Sequence, residues 1–388
     1  MEKEKLVNGF KRIFKDGGDI SGYFAPGRVN LIGEHIDYNG GHVFPCALKN
    51  GNYVVARRRE DKKIRFFSEN FRRKTILASS LEDLSFRKED LWTNYPKGVF
   101  YEFQKKGLSI PNGFDIYVSG DIPGSGLSSS AAMEIVIGTM LEEEFGFGLT
   151  PIEIALLGQK SENEYNGCSC GIMDQFASAM GKEGQAIFLD CKNLSYQYVP
   201  LSLKDYVIVV TNSNKPHSLT QSHYNDRRKE CEEALQELQK SIPVSSLCEL
   251  TPEQYYPLEE TLSSPILKAR ARFAVEEEAR TKEAVKALQN NDFIKFGNLL
   301  NESGDGLRYQ YDATCFEIDS LVDAARSFKD CLGSRETGGG WGGNTISLVK
   351  KDKVLAFSSQ VGKAYYEKTG LHAKFHALKS GDGGRRIF

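Results

Sequence analysis

A glycine- and serine-rich segment, residues 120–134, has the composition of an anion-binding loop. It follows an alternating, strand-like run at residues 114–118 and precedes a helix-forming segment at residues 131–144. A strand, a glycine loop and a helix N-terminus together present unpaired backbone N–H groups to an anion, and the helix dipole favours negative charge there. The alternative is an ordinary glycine-rich turn with a serine N-cap, because short glycine motifs often arise by chance. The hydroxyls that could add to such a site are those of Ser128, Ser129 and Ser130.

A second segment carries four ionisable side chains within ten residues, Arg28, Glu34, His35 and Asp37. Apolar residues stand between them, so we expect the segment to be anchored to a core and not to be a solvated surface loop. The two carboxylates can accept hydrogen bonds from sugar hydroxyls, and the imidazole can donate or accept one. A single histidine more often serves packing than binding, which makes His35 the weakest member of this set.

The third candidate is Asp174, in the apolar stretch Cys-Gly-Ile-Met-Asp-Gln-Phe-Ala. A buried carboxylate requires a partner, and Arg28 is the obvious cation if the two segments meet. Such a pair could orient a substrate hydroxyl and neutralise charge on a transferring phosphoryl group. The alternative is a helix N-cap aspartate. Glu162, near a helix end, could hold Mg²⁺ together with Ser130, because this ion needs few protein ligands beside nucleotide phosphates; otherwise it is a solvated helix carboxylate.

Composition excludes several classes of protein. The chain has 388 residues, 40% hydrophobic and 26% charged, with a formal net charge of −2. No long run of one charge sign suggests a nucleic-acid or membrane partner, and no apolar stretch is long enough to span a bilayer. The eight cysteines show no zinc-type spacing, and we expect reduced thiols in a cytoplasmic protein.

The order of elements predicts an α+β fold of two domains, because the chain is too long for one typical core. Strands are expected near residues 43–48, 52–58, 64–67, 185–190, 206–210 and 346–349. Helices are expected near residues 1–19, 90–106, 131–144, 151–165, 224–241, 263–290 and 317–327. Pro26 and Gly27 are expected to end a strand that begins near residue 21. We place the domains at 1–203 and 204–388, with the last few residues free to return to the first domain.

Taken together, these segments closely resemble the galactokinase family, within the galactose, homoserine, mevalonate and phosphomevalonate kinase superfamily. The resemblance covers about residues 20–349 and is carried by four stretches. These are Gly27-Arg-Val-Asn-Leu-Ile-Gly-Glu-His-Ile-Asp-Tyr38, Gly124-Ser-Gly-Leu-Ser-Ser-Ser-Ala-Ala132, Cys170-Gly-Ile-Met-Asp-Gln-Phe176, and Asn214-Lys-Pro216 with Ser222-His-Tyr-Asn-Asp-Arg-Arg228. A third glycine motif, residues 338–344, departs from the usual Gly-Ala-Gly-Phe-Gly-Gly-Cys, and Phe273 and Gly304 stand where many relatives have histidine.

The resemblance implies an N-terminal α/β domain with helices over its sheet, a ferredoxin-like C-terminal domain and an active site in the cleft between them. It also implies transfer of the γ-phosphoryl group of ATP to the anomeric hydroxyl of galactose, with Mg²⁺ as cofactor. Asp174 would act as base or orienting carboxylate, and Arg28 would stabilise the transition state. The other implied site residues are Glu34, His35, Ile36, Asp37 and Tyr224 for the sugar, Gly124, Ser125, Gly126, Leu127, Ser128, Ser129 and Ser130 for ATP, and Ser130 with Glu162 for Mg²⁺.

The sequence leaves two alternatives to phosphorylation of galactose open. One is a related sugar 1-kinase that acts on N-acetylgalactosamine or arabinose. The other is a sugar and ATP sensor of the same fold, which is disfavoured because such sensors lack part of the Ser-Ala portion of the ATP loop. Here Ser128 to Ala132 is complete. The expected partners are galactose and ATP, without nucleic acid or membrane, and a monomer is expected.

Overall fold

Two mixed layers of strands and helices make up the protein, seen in a computed structural model that describes residues 2–71, 75–123, 126–215 and 220–388, with the side chains of residues 220–222 excepted. The strands are β1 Ser21–Asn30, β2 His42–Val43, β3 Pro45–Arg58, β4 Lys63–Ser68, β5 Leu77–Ser80, β6 Phe114–Gly120, β7 Gln185–Asp190, β8 Tyr196–Pro200, β9 Tyr206–Asn212, β10 Cys331–Thr337, β11 Asn344–Lys350, β12 Lys374–Ala377 and β13 Arg385–Arg386. The α-helices are α1 Lys3–Phe14, α2 Asn94–Lys105, α3 Ser129–Phe145, α4 Pro151–Lys160, α5 Met173–Met180, α6 Thr220–Leu238, α7 Pro252–Tyr255, α8 Pro265–Gln289, α9 Phe293–Tyr309, α10 Phe316–Arg326 and α11 Val354–Thr369.

The first half is built on a six-stranded sheet in the order β13-β1-β3-β6-β4-β5. Alternating residues of β3 point to opposite faces, as the two-residue period of a strand requires. Val54 and Ala56 pack in the core that contains α2 and α3, whereas Tyr53 and Val55 pack against Phe10 and its neighbours in α1. The sheet is therefore covered on both faces. A smaller sheet, β2-β7-β8, lies beside it.

The second half contains a four-stranded antiparallel sheet in the order β10-β11-β9-β12. One face packs on α8 and α9, where Val210 and Leu348 contact a core that includes Phe296. Val209 and Val349 belong to the other face, which packs on α10 and α11. This is the α+β, two-domain architecture expected from the sequence.

The two halves share part of their hydrophobic core, and the last strand of the chain pairs in the sheet of the first half. Val29, Leu31 and Phe44 from the first half belong to the same cluster as the β9 and β11 side chains. At the other end of the chain, β13 pairs with β1 through Tyr23 and Arg386. The two halves are therefore joined both by side-chain packing and by strand pairing.

Most expected elements are present, and three expectations were wrong. Pro26 and Gly27 do not end β1, because a register shift between Pro26 and Arg28 lets the strand continue to Asn30. The strands expected at 43–48 and 52–58 are largely one strand, β3, since Gly51 leaves its pairing with β1 intact. The helix expected at 90–106 is broken near its start, where Leu91 has a φ of 50° and only the segment from 94 onward is α-helical.

None of the described helices combines the length and the apolar character that crossing a bilayer requires.

Candidate active site

An arginine–aspartate pair joins two segments that are far apart in the sequence. Arg28 donates from Nε to Oδ1 of Asp174 at 2.6 Å and from Nη2 to Oδ2 at 2.8 Å, a two-armed arrangement. Ser128 also donates its hydroxyl to Oδ2 of Asp174. The Arg28 side chain is 4% exposed and that of Asp174 is 29% exposed, so the carboxylate, and not the guanidinium, faces the open space. Asp174 lies in the first turn of α5 and does not cap the helix, which excludes the N-cap alternative.

Close packing of the backbone around Arg28 directs its side chain toward Asp174. Its N–H donates to the carbonyl of Leu127 at 3.1 Å, and its Nη1 donates to the carbonyl of Gly126 at 3.3 Å. A Cβ on Gly27 would lie 2.5 Å from the Leu127 oxygen, so only glycine permits this approach of β1 to the loop before α3. Ser128 has a φ of 57° and stands at the N-cap position of α3, yet its hydroxyl goes to Asp174 and not to the helix.

The pair lines a cavity of about 420 Å³ between the two halves of the molecule. Its walls come from the loop after β1, the segment before α2, the start of α5, α6 and the loop after β10. The ionisable carboxyl and cationic side chains along these walls are Arg28, Asp37, Lys88, Glu162 and Asp174. A cavity of this size with a few convergent polar groups is typical of a small-molecule site.

Asp37 lines the cavity and is buried. Its carboxylate accepts backbone hydrogen bonds from Tyr38 at 3.0 Å and from Met173 at 3.4 Å. Burial and the neighbouring charge of Asp174 raise the pKa of Asp37 to about 6. A Cβ on Gly171 would lie 2.1 Å from Oδ2 of Asp37, so this glycine allows the two segments to touch.

His35 belongs to an aromatic cluster that forms one wall. Its ring centroid lies 5.1 Å from that of Tyr224, on α6, and 5.0 Å from that of Tyr311. Nδ1 of His35 is hydrogen-bonded to the Tyr38 hydroxyl at 2.8 Å. Burial, assisted by the nearby positive charge of Arg227, lowers the pKa of His35 to about 3, so the imidazole is neutral. His35 and Tyr224 both face the cavity.

Two residues assigned to the sugar by resemblance lie outside the cavity lining. Glu34 is completely buried, where it pairs with Arg335 on β10 and accepts the Gly338 N–H at 3.2 Å. Ile36 is also completely buried, in the core of the first half. Glu34 and Ile36 alternate along the chain with His35 and Asp37, so their burial anchors the segment that presents His35 and Asp37 to the cavity.

Ser130 and Glu162 meet in the wall of the cavity. Both line it, and Glu162 accepts a hydrogen bond from the Ser130 side chain. Glu162 is 7% exposed and is in the π-helical turn that extends α4, so it is not a solvated helix carboxylate. Burial raises its pKa, and Glu134, buried beside it, has a pKa raised by burial and by the charge of Glu162.

This arrangement fits a divalent cation that is shared with a phosphate ligand. The partners of the Glu162 carboxyl group among the described residues are Ser130 and a second buried carboxyl group, Glu134, and not a lysine or arginine, so a bound cation would relieve the cost of burying its charge. Within the same residues, no cluster of three or more histidine, cysteine, aspartate or glutamate side chains could hold a metal alone. Mg²⁺ commonly takes one or two protein oxygens and completes its shell with phosphate oxygens and water.

The predicted phosphate loop is only partly described. Gly124 and Ser125 lie outside the described residues. Gly126 offers its carbonyl to Arg28, and Leu127 is completely buried in the core shared by the two halves. Ser129 begins α3, and its carbonyl accepts from Nδ2 of Asn52 at 2.9 Å.

The glycine-rich loop after β10 faces the phosphate loop. Gly338 and Gly339 line the cavity, and a Cβ on Gly338 would lie 2.9 Å from the Gly126 oxygen. Trp341, where the family motif usually has phenylalanine, packs its ring edge on His35 at a centroid distance of 5.9 Å. The altered motif thus keeps the backbone approach and adds a larger ring to the aromatic wall.

A second cavity, of about 200 Å³, opens beside the first and was missed by the sequence reasoning. It shares Tyr95 and Ser130 with the first cavity, and its wall includes Phe71 and Trp92, whose rings stack at 5.3 Å. The other walls come from β3, β4, β6 and α3. No local sequence motif predicts this site, because its wall is made of one to three residues from each of several strands, helices and loops that are far apart in the sequence.

Comparisons with known proteins agree over the whole chain. Residues 8–58 match the galactokinase galactose-binding signature, residues 94–182 the GHMP kinases N terminal domain and residues 284–368 the GHMP kinases C terminal domain. The chain is 46% identical to a galactokinase of Clostridium beijerinckii over 384 residues, covering 98% of each chain. It is 43% identical to a galactokinase of Bacillus subtilis, covering 99% of each.

Solved structures give the same picture. The crystal structure of Lactococcus lactis galactokinase complexed with galactose superposes with a TM-score of 0.96 at 42% identity, covering 99% of each chain. A mevalonate kinase matches with a TM-score of 0.62 at 18% identity, covering 94% of this chain and 100% of that one, which shows a shared fold alone.

Proposed function

The chain belongs to the galactokinase family, and we propose that it transfers the γ-phosphoryl group of ATP to the anomeric hydroxyl of D-galactose. The products are galactose 1-phosphate and ADP, in the first committed step of galactose catabolism. The observation that carries this proposal is the Asp174 carboxylate, which Arg28 holds through two hydrogen bonds and which lines a cavity together with Asp37, Tyr224 and Ser130.

The sugar occupies the end of the cavity lined by Asp37, His35 and Tyr224. Asp37 has oxygen lone pairs beyond those used by the backbone N–H groups, so it can accept hydrogen bonds from sugar hydroxyls. The Tyr224 ring is held against His35 and Tyr38, and its hydroxyl can donate or accept. A site of this kind rejects a sugar with a misplaced hydroxyl, because buried polar groups then lose their partners.

Asp174 orients the acceptor hydroxyl. Three donor groups, Nε and Nη2 of Arg28 and the Ser128 hydroxyl, already hold its two oxygens in one orientation. Arg28 contributes positive charge next to the transferring group and keeps Asp174 in one rotamer. Catalysis then depends mostly on placing the hydroxyl in line with the γ-phosphorus and on stabilising charge, as is general for phosphoryl transfer.

The triphosphate lies along the loop before α3, where the helix N-terminus favours negative charge. The Ser130 hydroxyl and the Glu162 carboxylate hold Mg²⁺, which when bound supplies positive charge against the phosphate oxygens. The second cavity, with its stacked Phe71 and Trp92, receives the nucleobase, since flat apolar rings suit an aromatic base. Its shared wall with the first cavity gives the nucleotide a continuous path.

The two alternatives predict different behaviour. A sugar and ATP sensor would need no oriented carboxylate for phosphoryl transfer, and the contacts of Arg28 and Ser128 with Asp174 support the kinase over the sensor. A kinase for N-acetylgalactosamine or arabinose would share that group and differ only in sugar choice. We also propose a monomer that acts in the cytoplasm, in line with the charge balance and the free cysteines of the described residues.

The test is a panel of sugars with ADP release as the readout. We expect galactose to be the preferred substrate, with glucose discriminated against by at least ~10²-fold in kcat/KM, equivalent to roughly 3 kcal/mol of transition-state contacts. Tyr224→Phe should narrow that gap by weakening galactose more than glucose, because it removes one hydroxyl from the sugar wall. The matched control is Tyr309→Phe, at an exposed tyrosine on α9.

Comparable rates with galactose and glucose would refute the galactose assignment. Faster turnover of N-acetylgalactosamine or arabinose would assign the chain to the related sugar kinases. Tight sugar and ATP binding without ADP release would favour the sensor.

A further inference from the structure

Two free cysteines, Cys168 and Cys170, stand on the wall of the main cavity. They flank Ser169 in a loop between the turn that carries Glu162 and the helix that carries Asp174. Both are partly exposed, whereas Cys46, a thiol of the core, is fully buried. The reaction described above uses neither thiol.

The loop holds the two cysteines close together. The N–H of Cys170 donates to the carbonyl of Cys168 at 2.7 Å, which closes a three-residue turn. The thiols lie within hydrogen-bonding reach of each other. That contact, together with burial, raises the pKa of the Cys170 thiol well above its ordinary value. The Cys170 thiol also donates to Oδ1 of Asn163 at 3.2 Å.

The same turn is tied to both sides of the active site. Cys168 donates its N–H to the carbonyl of Glu162 at 3.0 Å. The Ser169 carbonyl accepts a hydrogen bond from the Arg228 guanidinium at 2.8 Å, and the Ser169 N–H donates to Oδ1 of Asn225 at 3.1 Å. Arg228 and Asn225 are both on α6, the helix that carries Tyr224. A change of backbone in this turn therefore reaches both the proposed metal ligand Glu162 and the helix that carries Tyr224.

We propose that Cys168 and Cys170 are a dithiol modification site, which a low-molecular-weight disulfide oxidises to an intrachain disulfide that reversibly stops the reaction.

The chemistry is two successive thiol–disulfide exchanges. The Cys168 thiolate attacks one sulfur of the small disulfide, forms a mixed disulfide and releases one small thiolate. Cys170 then loses its proton to solvent and attacks Sγ of Cys168, which releases the second small thiolate. Two cysteine thiols are oxidised, and one small disulfide is reduced to two thiols. Cys168 reacts first, because the Cys170 thiol is held by Asn163 and by its neighbour.

Closing a disulfide between residues two apart requires the loop to change shape. Disulfides have narrow preferences for the Cβ–Cβ separation and the torsion about the S–S bond, and a bridge between residues two apart closes a very small ring, so we expect the turn to rearrange to meet them. We expect the turn bond and the Cys170 contact with Asn163 to break. Strained disulfides are readily reduced, which makes the modification reversible. A displacement of about 1 Å at the reacting groups can cost about 10²-fold in rate.

The experiment treats the full-length protein with 2-hydroxyethyl disulfide and follows activity and mass together. We expect activity to fall by about 10²-fold as the 168–170 peptide loses two hydrogens, and dithiothreitol to restore both. Galactose with MgATP should slow the loss, since the thiols line the cavity that these ligands fill. The mass readout does not depend on activity, so its outcome stands even if the proposed reaction is wrong.

Variants make the assignment specific. Cys170→Ser should accumulate a stable mixed disulfide on Cys168, and the double variant Cys168→Ser/Cys170→Ser should keep its own untreated rate under the same treatment. The control is Cys315→Ser/Cys331→Ser, which removes two other partly exposed thiols and should be inactivated like the wild type. Inactivation without a 168–170 linkage, or a linked protein that retains full activity, would overturn the proposal.

Discussion

Replacing Asp174 by asparagine keeps the size of the side chain and removes the negative charge that Arg28 holds. An asparagine has one accepting oxygen, so in either orientation its amide NH₂ faces a guanidinium nitrogen, Nε or Nη2, of Arg28. At least one charge-assisted hydrogen bond to Arg28 is lost. We therefore expect turnover to fall because the acceptor hydroxyl loses its orienting group, while the ligands themselves still bind.

The structure sets the size of two separate effects. A hydrogen bond to a charged group contributes about 1.5–3 kcal/mol, and breaking a fully buried ion pair costs about 3–5 kcal/mol. Asp174 is 29% exposed, so water can partly replace it beside Arg28, and we expect the free energy of unfolding to fall by about 2 kcal/mol. The loss in kcat should be larger, about 10²–10⁴-fold, which corresponds to roughly 3–5 kcal/mol in the barrier.

Urea unfolding gives the first quantity, and ADP release at saturating galactose and MgATP gives the second. Calorimetry should show galactose and ATP affinities within about threefold of the wild type, so that the loss lies in kcat and not in binding. The control is Asp305→Asn, which breaks a 2.6 Å pair with Arg326 on the surface of α9, far from any substrate group. Wild-type-like turnover in folded Asp174→Asn, or a loss explained wholly by weaker galactose binding, would remove Asp174 from the proposed role.

Two further substitutions test the neighbouring carboxylates. Glu162→Gln should raise the magnesium concentration for half-maximal activity by roughly tenfold at fixed ATP, because the proposed site has few protein ligands. The control Glu164→Gln, at an exposed carboxylate two residues further along the chain, should leave that concentration unchanged. An unchanged magnesium titration for Glu162→Gln would contradict the metal role. Asp37 has a raised pKa, so its contribution favours folding below its ordinary pKa and is lost as the pH rises through about 6. Urea unfolding of Asp37→Asn and wild type should therefore show a difference in the free energy of unfolding that favours the variant by about 1 kcal/mol more at pH 8 than at pH 5. The same variant should bind galactose less tightly. If the difference in the free energy of unfolding does not change with pH, Asp37 is not the titrating group.

Local sequence was sufficient for much of the fold and for the family. Hydrophobic periodicity and glycine positions act over a few residues, so they predicted the helices at 151–165 and 263–290 and the strand at 185–190, with small errors at the ends. The same local signals wrongly predicted that the strand ends at Pro26. Strand β1 continues past Pro26 through a bulge, because its hydrogen bonds to β3 outweigh the local tendency of proline to end a strand. Helices α9 and α11 were not predicted from the sequence, because which of their faces is apolar depends on the sheet that they cover.

Contacts between distant residues could be decided only by tertiary structure. Arg28 was recognised as a possible partner of Asp174 by charge and burial, yet their 146-residue separation left the pairing conditional until the loops were seen to meet. Glu34 belonged to the same polar motif as Asp37, but Arg335, 301 residues away, holds it in the interior. The motif's residue types determined which chemistry was available. The packing of β1 against the loop before α3, and of both against β10, determined which side chains face the cavity, because burial is a property of the assembled layers and not of any one segment.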